Sequence, residues 1–301
     1  MTDFLNKLND TQKGIFYMFV SVIITVLAAG IVKGHVDKIS SVEIIFFRNL
    51  FGIAFIVFSL LKTPFIKQGG RAWLWISRGL LGYISTSLFF YLVQHIPFSN
   101  TVVLFQSATL FASVFAFIFL KERLSRLQIF ATLVGFIGVV IVIQPSVDFT
   151  YYHVLGLSLG VMTGLASVSI RAARNYYSAR SLTLSFCIFS VIGTSIGMIV
   201  ASLMETSRVF DFVVSPFVIP SLNTVGLLII LAIFGVLSRT FGAKALAYSK
   251  TGIVGTVSYV GVVLAIFLGV LLGDDFPNMI TIVGMGLIVL GGIIVLLNKE
   301  K

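Results

Sequence analysis

The sequence predicts an all-α integral membrane protein of ten transmembrane helices, arranged as two inverted five-helix repeats. Composition is the first reason: 58% of the 301 residues are hydrophobic and 11% are charged, at a mean hydropathy of +1.08. A soluble domain runs about 45–50% apolar and about 25% charged, so no aqueous core hides this much apolar surface. Run length is the second. The apolar runs are about 18–22 residues long, which suits helices, whereas a spanning barrel needs alternating segments of about ten. Internal repetition is the third. Ile96–Val142 and Ser249–Val295 share one pattern: a polar turn, an apolar span, a short charged break and a second, glycine-rich span. An offset of 153 positions lays Gln106 on Tyr259, Glu122 on Asp275 and Gly138 on Gly291.

Residues 1–13 form a polar tail of mixed charge. Gly14–Val32 is the first span. It is too long for the core of a cleavable signal and no small-residue cleavage pattern follows it, so it is retained. Val42–Leu61 and Ala72–Val93 follow, then Phe98–Phe119 and Leu127–Ile143, which complete a first repeat over residues 14–145. The second repeat, residues 153–297, holds Val154–Ala172, Leu182–Leu203, Thr224–Leu246, Gly252–Leu271 and Met279–Leu297, before a short tail at 298–301. Connections are short, as between adjacent antiparallel helices, except Met204–Asn223 with its two prolines, which crosses the outer surface.

Lysine and arginine set the orientation. With the N-terminus cytoplasmic, fifteen basic residues fall on inner segments and three (Lys33, Lys38 and Arg208) on outer ones. This bias predicts a multi-pass membrane protein with both termini cytoplasmic. Five spans per half is an odd number, so the halves enter from opposite sides and are related by an axis in the membrane plane.

Other classes drop out. The net charge of +10 is spread over short connections, not gathered on one module, so nucleic acid is not an expected partner. The lone Cys187 lies inside a span and excludes an intrachain disulfide or a cysteine metal cluster. His35, His95 and His153 fall at outer helix ends with no carboxylate spacing for a metal. No phosphate-binding glycine loop is present, which argues against direct ATP drive. No cofactor is expected, and neither is enzyme activity, because no cluster of His, Asp, Glu or Cys gathers at a membrane surface.

Both arms of the repeat, Phe105–Pro145 and Ser258–Leu297, resemble the paired repeats of the drug/metabolite transporter superfamily, specifically its ten-helix EamA branch. The Glu122-Arg123-Leu124-Ser125 break, the glycine-rich fifth and tenth spans, Phe46-Phe47-Arg48-Asn49 and Arg78-Gly79-Leu80-Leu81-Gly82 carry the likeness. It implies a bacterial-type inner-membrane carrier of small metabolites with a central cavity and alternating access. Where that family often has a proline on its fourth helix this chain has Thr109, which leaves a proline kink there without its cause.

Charges inside spans locate the candidate site, since each costs about 2.5–3.5 kcal/mol on insertion scales. Arg48, Arg78 and Arg239 are such charges, whereas all eleven acids fall in tails, breaks or helix ends. Arg239 falls opposite Thr86 in the repeat, so the arginines are asymmetric features. Guanidinium groups without a carboxylate favour a substrate bearing carboxylate or phosphate, which arginine grips through two bonds. Gln106 and Tyr259, equivalent in the repeat, would orient the substrate, and Tyr83 is a candidate for stacking on it. The expected function is secondary transport of an anionic or zwitterionic metabolite, such as an amino acid, at a midplane cavity. The competing reading is a non-transporting membrane scaffold whose cavity is closed by apolar side chains. The partners expected are a small-molecule substrate and the lipid bilayer; the sequence does not fix an oligomeric state.

Overall fold

The computed structural model describes residues 8–35, 39–62, 69–121, 125–143, 150–204, 210–249, 254, 257–258 and 260–297. Among them there is no strand. The helices are α1 (Asp10–His35), α2 (Ser41–Lys62), α3 (Ala72–His95), α4 (Phe98–Gln106), α5 (Ala108–Leu120), α6 (Arg126–Ile143), α7 (Tyr151–Ala173), α8 (Ala179–Leu203), α9 (Leu222–Tyr248), α10 (Val260–Leu271) and α11 (Met279–Leu297). With Phe98–Leu120 taken as one rod, seven helices are long and apolar enough to cross a membrane. The others are shorter apolar segments within α6, α10 and α11.

Small polar residues start these helices by meeting amide groups that the first turn leaves unbonded. Asn9 and Gln12 bond each other's backbone N–H reciprocally, and Ser40 and Glu43 repeat the arrangement at α2. Ser178, Ser221 and Asn278 accept from Ser181, Thr224 and Thr281 in the same way.

The fourth expected span is interrupted, and without a proline. Ser107 Oγ donates to Leu104 O (2.6 Å) and Thr109 Oγ1 to Gln106 O (3.0 Å), so hydroxyls compete for carbonyls of the helix ladder. The ladder breaks between α4 and α5. The expected start of the ninth span at Gly252, with Tyr259 and Glu122, lies outside the described residues.

Helix pairing is regular. α1 lies on α9 and α3 on α7; α7 also holds α4 and α5, while α1 also holds α10. α3 packs on α8 and α2 on α9; α2 with α8, α4 with α10, and α6 with α11 complete the bundle. The interior is apolar, with Val26, Ile44, Leu92, Phe98, Leu159 and Leu231 in one buried cluster. Large apolar side chains such as Phe58, Leu133, Ile196, Phe267 and Ile280 face outward instead, as suits contact with lipid.

Side chains tie the helix ends. Where α1 finishes, Lys33 Nζ pairs with Asp274 Oδ1 (2.6 Å) and reaches Ile96 O (3.5 Å), while Asp274 Oδ2 accepts from Phe98 N (2.8 Å). Where α7 finishes, at the opposite end, Arg171 Nη1 donates to Ser249 O (2.6 Å).

Candidate functional site

α2, α3, α8 and α9 each send a large side chain into one chamber of about 180 Å³. Arg48 comes from α2, Arg78 from α3, Arg239 from α9 and Phe186 from α8. Ser21, Thr25, Thr86, Thr163 and Ser238 add hydroxyls. Among the described residues, no aspartate or glutamate lines it.

Aromatic faces hold the three guanidinium groups. The Cζ of Arg239 lies 3.7 Å from the centre of the Phe186 ring, and that of Arg78 lies 5.5 Å from the same ring. Arg48 lies 4.5 Å from the centre of Phe90. Such contacts are worth about 0.5–2 kcal/mol each, against several kcal/mol to desolvate an unpaired ion, so the rings offset only part of the cost. Hydrogen bonds differ among the three. Arg239 donates to Gly235 O (3.3 Å) and to Thr86 Oγ1 (3.0 Å). Arg48 and Arg78 are 4% and 6% exposed, yet Nε and Nη2 of Arg48 and Nε of Arg78 have no partner. Buried donors left in that state cost about 1–3 kcal/mol apiece, more when charged, which marks the chamber as incomplete without an acceptor.

Glycine makes room for this cluster. A Cβ at Gly82 would overlap Arg78 Nη1 and stand 2.7 Å from Phe186 Cδ2. One at Gly235 would stand 3.4 Å from Arg48 Nε and from Arg239 Nη1.

The acids are engaged elsewhere. Glu43 is fully buried, with Ser40 on one oxygen and the Val218 N–H on the other at 2.5 Å. Asp274 is held by Lys33 and Phe98, and Asp211 lines a separate cavity beside Tyr91 and His95.

The sequence-predicted residues divide. Arg48, Arg78 and Arg239 meet in one chamber. Gln106 lines an adjoining chamber of about 120 Å³ with Thr109 and Ser258, and its Nε2 donates to Ser258 O. The two chambers share lining residues, among them Met18, Thr25, Phe89, Phe105 and Thr163. Tyr83 lines neither. Its ring is buried against Gly193 of α8, at a helix–helix contact where a Cβ has no room. Phe186 and Phe90 were missed because an apolar residue inside an apolar span gives no signal. Thr86 had one: it is the repeat partner of Arg239.

Residues 12–144 match the EamA-like transporter family. A protein of Helicobacter pylori described as an uncharacterized transporter is 26% identical over 280 residues, covering 90% of each chain. The pseudopaline exporter CntI of Pseudomonas aeruginosa is 27% identical over 273 residues, covering 90% of this chain and 91% of that one. A solved crystal structure at 19% identity superposes with a TM-score of 0.62 over 94% of this chain and 96% of that chain, and so shares the fold. With its apolar helices, these likenesses make the chain a multi-pass membrane protein of the transporter kind and point away from an enzyme.

Proposed function

We propose that this chain, whose residues 12–144 match the EamA-like transporter family, is a drug/metabolite-type transporter that carries a small organic anion or zwitterion across the inner membrane by alternating access. In this reading the chain spans the bilayer ten times with both termini cytoplasmic, as two inverted repeats over residues 14–145 and 153–297.

Helix pairing supports the repeat. Number the spans in order, with α4 and α5 as the fourth and α6 to α11 as the fifth to tenth. Exchanging each span for the one five places away turns the α1–α9 contact into α7–α3, α10–α1 into α4/α5–α7, and α2–α9 into α8–α3. The α2–α8, α6–α11 and α4–α10 contacts map onto themselves. End contacts follow the same exchange of spans: Lys33 at the end of α1 reaches Ile96 O, and Arg171 at the end of α7 reaches Ser249 O, the acceptor 153 positions after Ile96. A molecule whose contacts are nearly unchanged by the swap has two conformations of similar energy, open to one side or the other, which is what transport by rocking needs.

One observation carries the substrate class: three guanidinium groups share a chamber that, among the described residues, no carboxylate lines, and donors on two of them are buried without partners. Arg239, with Arg48 and Arg78, would neutralise the acidic group. Gln106, in the adjoining chamber, and Tyr259 would orient the rest of the molecule. A chamber of this size is below the roughly 300–1,000 Å³ of drug-sized sites, so the solute is small.

Counterflow into proteoliposomes tests this directly. Vesicles preloaded with a mixture of unlabelled acidic metabolites and amino acids should accumulate a labelled member faster than protein-free vesicles. Equal rates for both vesicle types across the whole mixture would refute it.

A further inference from the structure

We propose that the substrate carries two acidic groups, a compact organic dianion such as a short dicarboxylate or a phosphorylated acid, instead of a zwitterion. The inference deepens the transport reading above and rests on it.

Charge comes first. Arg48, Arg78 and Arg239 place three positive groups around one chamber, and among the described residues neither that chamber nor the one adjoining it has an Asp or Glu in its lining. Those two linings supply hydroxyls and Gln106 as their neutral polar side chains. A single carboxylate leaves two positive charges uncompensated in a low-dielectric site. A zwitterion compensates none, because its ammonium enters beside the guanidiniums and brings a like charge. The faces of Phe186 and Phe90, which an ammonium could otherwise use, are occupied by the arginines themselves.

Unmet donors give the second, independent observation. Nε and Nη2 of Arg48 form the adjacent pair of N–H groups that grips one carboxylate or phosphoryl group through two bonds, and both are buried and unpaired. Arg78 Nε is unpaired on a different helix. One acidic group would satisfy the fork of Arg48. The second would satisfy Arg78, beside Arg239, which already spends one donor each on Gly235 and Thr86. Two separate sets of donors, with charge to match, describe two acidic groups on one small molecule.

The adjoining chamber is lined by Val22, Val26, Val102 and Phe105 with few polar atoms, so the skeleton between or beyond the acids is apolar or hydroxylated, not basic.

A series that changes charge on one skeleton is the test. Purified full-length protein would be assayed by thermal shift and by counterflow in proteoliposomes at pH 7. The probes are succinate, its half-amide succinamate, asparagine and lysine, with glycerol 3-phosphate against glycerol. We expect succinate or glycerol 3-phosphate to act at concentrations at least about tenfold below their less charged partners. Arg48→Lys keeps the charge and loses the fork, so it should cost the dianion at least about tenfold and the monoanion less, with the size-exclusion profile confirming folded protein. Exchange of asparagine or lysine at concentrations equal to or below succinate overturns the inference and leaves the transport reading standing. Exchange of no member overturns both.

Discussion

Arg239 and Thr86 stand 153 positions apart in the chain, and the Nη2 of the first donates to the Oγ1 of the second at 3.0 Å. That separation is also the offset that lays the second repeat on the first. A residue and its image under a twofold exchange can touch only if both stand beside the axis. In the proposed inverted-repeat reading the arginine chamber therefore sits at the axis between the halves, where a rocking motion would leave a bound solute in place while access changes sides.

Thr86→Val keeps volume and deletes the acceptor. The guanidinium of Arg239 then loses one of its two anchors, and apparent affinity for the transported anion should fall about tenfold, or about 1.4 kcal/mol. Counterflow at varied substrate concentration reads this as a higher half-saturation with maximal rate little changed. Thr86→Ser, which restores the hydroxyl, should recover most of the loss.

Gly82→Ala should displace Arg78 without altering any charge. The new methyl overlaps Nη1 and crowds Phe186, so the guanidinium must leave its seat or the helices must part. Overpacking of this kind costs about 1–3 kcal/mol. A lower melting temperature in detergent together with at least about tenfold weaker anion affinity is expected. Unchanged affinity would mean that Arg78 takes no part in binding.

Asp274→Asn should loosen one end of the bundle. The carboxylate holds Lys33 and the Phe98 amide at once, joining the ends of α1, α4 and α10. Its side chain is partly exposed, so the cost falls between surface and buried ion pairs, at about 1–2 kcal/mol. In a Cys187→Ala background, a cysteine placed at Thr25 in the chamber should react faster with a membrane-impermeant maleimide added outside. An unchanged labelling rate would show that this contact does not restrict access.

Gly164→Ala tests packing alone. A Cβ there would stand 3.0 Å from Ala112 N and 3.1 Å from Ala108 O, backbone atoms that no rotamer change can move. Separation of α7 from α5 should lower stability by about 1–3 kcal/mol, measured as a lower melting temperature.

What the sequence reveals follows from which residues disturb an apolar background. Arg48, Arg78 and Arg239 do so through charge, and all three reach the chamber. Gln106 stands out by polarity and lines the neighbouring chamber, but Tyr83, equally conspicuous, spends its ring on the contact with Gly193. Polarity marks a side chain that needs a reason, without saying whether the reason is a solute or a helix neighbour. Phe186 is invisible for the opposite reason, since a phenylalanine in a span needs none. Span positions were legible from run length, except at Ser107, where hydroxyls that look neutral in a sequence break the ladder. In the glycine-rich fifth and tenth spans, Gly135 and Gly291 let helices approach, at α5–α6 and α6–α11. At Gly286 of the same tenth span a Cβ meets nothing within 4 Å. Gly156, Gly160 and Gly164, which seat α7 against α4 and α5, are spaced as regularly and were overlooked.

Replacement of Arg239 by alanine, measured as the counterflow rate of a labelled organic anion in proteoliposomes holding equal amounts of folded protein, probes the chamber most directly. Loss of a buried, hydrogen-bonded charge partner costs about 2 kcal/mol or more, so the rate at low substrate should drop at least about thirtyfold. An R239A rate equal to that of the unaltered protein would contradict the assignment of this chamber as the place where the anion is held.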